Sequence, residues 1–506
     1  MSTAVNPQAE AQPQAAESAA KTVGRGVMFI GFAKVYFMLT GFAQRVLLTR
    51  LIGPADFGDF AVVNNVVSIF NNTLVQGTIQ GVSKLTAEDD ARAGAVQRAG
   101  LRLQAGLGFA VALALIIAAP RLAALEHAPR FTPYFRVAAL VPFFYAMYAV
   151  YIGSANGLRR FRTQAGFDVG FSTTKTVLLL GFALLWKVMG AFIGFAAAAG
   201  VILVVASRVM RLPATSEPFP IRKIAPFVWA VLAYTILLNL ALNSDLLLLR
   251  HFALAAPGVD ATAAAAVAGN YEALRTFALL PYQFLLVVTF VIFPLVSRAT
   301  FAADRDATRA YVTQTMRYAL ILAGAMGIVL AARPTALFGV IYKPEYGSGA
   351  AALPILAAGQ CCLALLSVAC SILNAAGRTR ATLTLMVVTL AVGAAGVALT
   401  VPRAAPGTPM LIATASATAM ATAMGLAAAL IVLRTRFGAG PPLATVVRVG
   451  LAMAAAVVAA RLVPGHGKIV GLAVMALAGI AYLAVLILTR EFGAADRAKV
   501  AKILKR

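Results

Sequence analysis

Residues 188–206 read VMGAFIGFAAAAGVILVVA, a stretch without a single charged or strongly polar side chain. As an α-helix it would be about 28 Å long, close to the ~30 Å hydrocarbon core of a bilayer. In lipid the backbone has no water to bond, so such a stretch must satisfy itself as a helix. Reading outward in both directions, stretches of this kind recur along the whole chain. They lie at 27–48, 58–80, 101–120, 133–155, 165–186, 188–206, 226–249, 266–296, 316–340, 350–375, 381–401, 409–433, 446–463 and 469–489. The expected fold is therefore an all-α integral membrane protein of about 14 transmembrane helices.

Composition agrees. Of 506 residues, 61% are hydrophobic and 12% are charged, whereas a soluble domain carries roughly 25% charge. The mean hydropathy is +0.86. The net charge of +25 could suggest nucleic acid, but its placement argues for the positive-inside rule instead. Alternate loops and both tails hold roughly 28 Lys and Arg against roughly 11 in the opposite set, which includes Arg50, Arg250 and Arg403. Both termini are thus expected on the cytoplasmic side, and nucleic acid is not an expected partner. Cys361, Cys362 and Cys370 share one apolar span and lack metal-site spacing. His127, His251 and His466 are scattered in loops. No P-loop occurs, so the chain itself is not expected to burn ATP. No metal cluster, catalytic triad or long outer loop is visible, so neither a cofactor nor an enzyme is expected.

A weak internal repeat divides the spans. LLTRLIGPADFGDF (47–60) resembles LLLRH (247–251) followed by GNY (269–271). Ser83-Lys84 matches Ser297-Arg298, and GLRRFR (157–162) matches GRTR (377–380). Six spans per repeat preserve sidedness, so the two lobes form a parallel pseudo-repeat of the kind common in secondary transporters. The expected organisation is a disordered tail at 1–22, an N-lobe at 23–206, a C-lobe at 207–433, an extra helical hairpin at 434–489, and a basic tail at 490–506. The Ala, Gln, Glu, Ser and Pro content of 1–22 argues for disorder, and the lack of a basic start argues against a signal peptide.

Charges inside spans are costly, about 2.5–3.5 kcal/mol each at mid-bilayer, and mark candidate site residues. Once the Lys and Arg counted with the loops, span ends and tails are set aside, Lys34, Arg45, Lys175 and Arg275 remain as the intramembrane cations. Lys34 and Arg45 are separated by three turns and share one face, about 16 Å apart. Lys175 lies near mid-depth, with Asp168 and Ser172 on its face. Arg45 could equally snorkel to the interface, and Glu272 with Arg275 could be a quiet i,i+3 pair. The second span carries a polar stripe of Asn64, Asn65, Ser68, Asn71, Asn72 and Gln76, with Val66, Val67, Phe70 and Leu74 opposite. Thr235, Asn239 and Asn243 repeat it on the seventh span. Such stripes serve either as interhelical glue or as one wall of a wet cavity. A cationic, amide-lined chamber suits a phosphate-bearing substrate with sugar hydroxyls. Asp245, Glu272 and Asp168 are candidates for H+ or Na+ coupling.

LTRLIGPADFGDF (48–60), NSDLLLLRHF (243–252), GNY (269–271) and FPLVSR (293–298) resemble the bacterial polysaccharide transporter family, the O-antigen and exopolysaccharide flippases of the multidrug/oligosaccharidyl-lipid/polysaccharide exporter superfamily. The resemblance implies a flippase that carries undecaprenyl-diphosphate-linked oligosaccharide across the bacterial inner membrane by alternating access. It also implies, as functional neighbours, a polysaccharide polymerase and glycosyltransferases. Lipid II flippases have a similar size and span number, but usually a more basic first hairpin. Drug/cation antiporters usually have twelve spans. A membrane polysaccharide polymerase or ligase typically needs a sizeable periplasmic loop.

Overall fold

A computed structural model describes residues 7–213, 219–286, 296, 299–300, 304–464 and 467–493, and side chains within these ranges except 7–28 and 221–231. Helices are the only regular secondary structure among the described residues, which hold no strand. The helices are α1 (Pro7–Leu51), α2 (Pro54–Glu88), α3 (Ala93–Leu125), α4 (Phe131–Ala138), α5 (Leu140–Gly157), α6 (Phe161–Val209), α7 (Ile221–Ala253) and α8 (Ala261–Ala278). They continue with α9 (Arg305–Ala332), α10 (Pro334–Ile341), α11 (Leu353–Ala375), α12 (Thr379–Thr400), α13 (Thr408–Phe437), α14 (Leu443–Leu462) and α15 (Lys468–Leu488).

Ten of the described helical segments are long and apolar enough to cross a bilayer. One of them, α6, is two spans folded back on each other. Trp186 and Lys187 leave helical geometry, Lys187 with φ of 46°, at the break expected between residues 186 and 188. Gly190 and Gly194 make the reversal possible. A Cβ on either would strike the carbonyl of Phe182 or Leu178 on the outgoing arm. The expected spans at 27–48, 58–80 and 266–296 are not among the ten; they are the ones carrying Lys34 and Arg45, the amide stripe, and Glu272 with Arg275. Part of the eighth span, and the FPLVSR motif except for Val296, lie outside the described residues, as does most of the basic tail. Large apolar side chains such as Leu443 and Ile469 are 77% and 84% exposed, as lipid-facing residues should be.

Helix α1 begins at Pro7, inside the stretch whose composition suggests a disordered tail. Ala, Gln and Glu are good helix formers, and extending an existing helix avoids the cost of a new nucleus.

The chain divides into two compact units: one takes the chain up to Leu51 and Val63–Asn239, the other Ile52–Val62 and Leu240 onward. This differs from the expected lobe boundary at 206/207. Residues 52–62, read above as part of the first lobe, belong to the second unit. In the first unit α1 lies along α6, α5 on α6, and α3 on α5. In the second, α13 packs on α11 and α12, and the α14–α15 hairpin packs on α9. Ile321 and Ile328 of α9 share one core with Val449, Ala452 and Ala456 of α14 and with Val474, Ala478 and Tyr482 of α15. The Tyr482 hydroxyl donates to the Ile321 carbonyl over 2.8 Å, above Gly324, where a Cβ would crowd that hydroxyl.

Candidate functional site

In the first unit, α1 and α6 bring the predicted cations together. The Lys34 ammonium lies 2.9 Å from Oδ2 of Asp168, with the lysine half exposed and the aspartate nearly buried. Farther along the same two helices, the Thr40 and Ser172 hydroxyls hydrogen-bond, and the Tyr36 hydroxyl meets that of Thr173 at 2.8 Å. Lys175, a further turn along α6, is half-buried. Its ammonium sits 4.1 Å from the centre of the Phe195 ring, within electrostatic range of Arg45. Cation–π contact lowers the cost of holding such a charge without neutralising it. Lys175 makes no ion pair among the described residues.

Aromatic side chains flank this row, and sequence reading missed them. Tyr145 of α5 stacks on Phe171 of α6 with centroids 4.6 Å apart and on Tyr148 at 5.3 Å, while Phe37 of α1 covers Phe171 at 6.4 Å. Helical spacing of aromatics in an apolar span gives no sign of which ones will flank a polar pair.

The amide stripe of α2 is less uniform than its helical arc predicts. Asn72 is exposed, Asn64, Ser68 and Gln76 are half-buried, and Asn65 and Asn71 are buried. Asn72 donates to Asn239 over 3.1 Å, and Asn239 donates on to the Thr235 carbonyl, so the two predicted stripes meet within this unit. Asn243, also buried, falls in the other unit.

In the second unit Arg275 is almost fully buried and engaged. It contacts Glu272 at 2.5 Å, Asp245 at 3.4 Å and the Leu242 carbonyl; Tyr271 donates to Asp245 over 3.0 Å. The i,i+3 pairing of Glu272 with Arg275 is thus realised, and Asp245 adds a second carboxylate. The Arg275 guanidinium is spent inside its own unit rather than open to a ligand. Arg250, counted from sequence as a loop cation, is completely buried in α7 and lies 3.5 Å from Asp59. A buried cation needs a carboxylate, and the GPADFGDF segment supplies it. That segment docks closely: a Cβ on Gly58 would strike the Ala265 carbonyl, and one on Gly269 the Pro54 carbonyl. The two segments read above as repeat equivalents therefore pack face to face in one unit.

The family described as polysaccharide biosynthesis protein matches residues 23–300, more than half of the chain. The chain belongs to this family. Among solved structures it is similar to the lipid II flippase MurJ in an inward closed conformation, with a TM-score of 0.73, 12% identity, and coverage of 92% of this chain and 99% of that one. It is also similar to an inward-facing multidrug resistance MATE family transporter of the MOP superfamily, at TM-score 0.62 and 16% identity over 79% and 94% of the two chains. A MOP superfamily transporter from Pyrococcus furiosus gives 0.61 and 17% over 82% and 95%. No curated protein sequence matches the chain. The polysaccharide biosynthesis family member is thus a multi-pass membrane protein with a transporter fold shared with MurJ and the MATE proteins.

Proposed function

We propose that this protein is a flippase that carries undecaprenyl-diphosphate-linked oligosaccharide units of the O-antigen or exopolysaccharide type across the bacterial inner membrane by alternating access, with both termini cytoplasmic, and that it is a transporter rather than an enzyme. The observation that carries the reading is Lys175: an intramembrane cation with no ion-pair partner among the described residues, resting on Phe195 and within range of Arg45. A diphosphate entering a low-dielectric site needs more than one cation. Lys175 and Arg45 supply two, and Lys34 a third whose hold is weakened by Asp168. The hydroxyls of Tyr36, Thr40, Ser68 and Thr173 and the amides of Asn64, Asn72 and Gln76 suit sugar hydroxyls. Release requires that no single contact be tight, which half-paired cations provide.

For Arg275 the proposed role is different from substrate grip. Asp245 and Glu272 share this one guanidinium, which leaves one formal negative charge that H+ or Na+ would neutralise. We assign coupling to this cluster and substrate contact to the α1–α6 row. A polymerase and glycosyltransferases are the expected functional partners, since they would consume and supply the carried unit. The likeness to MurJ over 92% of the chain favours lipid II as the second reading. Purified protein in proteoliposomes, given either a lipid-linked oligosaccharide or lipid II, tests both. Movement of the oligosaccharide carrier supports the first reading, and movement of lipid II alone replaces it with the second.

A further inference from the structure

A second basic site lies apart from the α1–α6 row, where α11 ends, α12 begins and α13 ends. A pocket of about 360 Å³ opens there, with Arg378, Arg380 and Arg436 on its wall together with Thr379, Ala381 and Val432. No acidic residue lines it. All three arginines are exposed, and none makes an ion pair or side-chain hydrogen bond among the described residues. Three guanidiniums facing one cavity repel one another unless an anion sits among them.

The first unit contains a built-in comparison. Its α5–α6 turn repeats the α11–α12 turn bond for bond. Leu158, Arg159 and Arg160 donate backbone N–H groups to Ser154, Asn156 and Ala155; Ala376, Gly377 and Arg378 donate to Ile372, Asn374 and Leu373. Arg159 and Gly377 hold the same left-handed position, with φ of 55° and 73°. Yet the arginines after the first turn, though exposed, each have a protein contact. Arg160 reaches the Met210 sulfur at 3.8 Å, and Arg162 lies 5.0 Å over the Phe29 ring. After the second turn their counterparts are left open and are joined by Arg436 from the end of α13. Side-chain capping of α12 is also missing, so its positive end adds to the field.

We infer that this pocket binds the phosphate of an anionic phospholipid headgroup. The depth fits: α12 is 22 residues long, about 33 Å, which spans the hydrocarbon core and leaves its first turn at headgroup level. The chemistry fits as well. Arginine forks bind phosphate oxygens two at a time, while Val432 and Ala381 offer an apolar side to the glycerol and upper acyl chain. The residues lie in a loop that the Lys/Arg asymmetry assigns to the cytoplasmic face, where basic pockets between helices meet anionic lipids.

The test uses the full chain in nanodiscs, with lipid retention read by native mass spectrometry after detergent exchange. Phosphatidylglycerol is compared with phosphatidylcholine, with inorganic phosphate as a competitor. The expected result is selective retention of phosphatidylglycerol, weakened on the order of tenfold in R378Q/R380Q/R436Q and little changed in the matched surface triple R208Q/R211Q/R305Q. The single variant R436Q, outside the turn, should lose a smaller share and guards against a folding defect. Equal loss in both triples would reduce the effect to general surface charge and overturn the site. Competition by inorganic phosphate alone, with no lipid preference, would overturn the lipid assignment. The readout needs no glycan, so the inference stands or falls separately from the transport reading.

Discussion

The ammonium of Lys34 lies 2.9 Å from a carboxylate oxygen of Asp168, joining α1 to α6 across 134 positions of sequence. The lysine is half exposed and the aspartate is not, so the pair is lopsided: losing Lys34 strands a buried carboxylate, whereas losing Asp168 leaves an ammonium that is already half open to its surroundings.

That asymmetry gives a double-mutant prediction. Lys34→Ala should destabilise the protein by about 1–3 kcal/mol and stop transport. Asp168→Asn should be mild in stability. The double variant should regain stability without regaining transport, because the carboxylate no longer needs a partner while the substrate still lacks its cation. Thermal unfolding in detergent beside a flipping assay reads both. Recovery of transport in the double variant would make Lys34 a purely structural residue.

Gly58→Ala and Gly269→Ala should each be severe. In both cases the added methyl meets a backbone carbonyl of the facing helix, which cannot rotate away as a side chain can. Overpacking of this kind costs about 1–3 kcal/mol or more. Gly41→Ala, where nothing lies within 4 Å of a Cβ, should be neutral. Expression level and melting temperature check the contrast.

Glu491 should make stability depend on acid. It is buried and accepts from Arg317 over 2.6 Å, Arg448 over 2.8 Å and Thr445 over 2.7 Å, tying both ends of the α14–α15 hairpin to α9. Burial pushes its carboxyl up, but the hydrogen bonds from Arg448, Arg317 and Thr445 outweigh burial and hold it below its ordinary value. A lowered folded-state pKa means the stabilisation is complete above the unfolded value of about 4.3 and fades as pH falls through the folded one. Melting temperatures of the wild type should therefore drop below about pH 4. Glu491→Gln should start lower at neutral pH and lose less on acidification. Parallel curves would contradict this role.

Labelling should resolve the α2 stripe finely. A cysteine at Asn72 should react with a water-soluble thiol reagent in the membrane, and cysteines at Asn65 and Asn71 should not, because the first is exposed and the others are buried. Uniform reactivity along the stripe would contradict the packing of α2.

Apolar runs made the membrane fold legible, down to the reversal at Trp186–Lys187, because lipid imposes helices on any long uncharged stretch. The cations at 34, 45, 175 and 275 stood out in the sequence because charge inside an apolar stretch is rare. What they face was not. Asp168 was assigned to the face of Lys175, yet its carboxylate is taken by Lys34 on another helix. Asp59 and Arg250 are nearly 200 positions apart, and no periodicity links them. The GPADFGDF and GNY motifs suggested a repeat; nothing in the sequence signalled that Gly58 and Gly269 within them also serve a mutual close approach. Helical phase locates a face, while the partner of that face depends on tertiary packing.

The most direct measurement is the rate at which purified protein in proteoliposomes moves a fluorescent, diphosphate-linked oligosaccharide lipid between leaflets, with Lys175→Ala beside wild type. The account predicts rapid movement by wild type, a fall to the protein-free rate in Lys175→Ala at unchanged folding, and partial recovery in Lys175→Arg, where charge is kept and shape is not. Normal movement by a well-folded Lys175→Ala protein would contradict the claim that intramembrane cations of α1 and α6 carry the diphosphate.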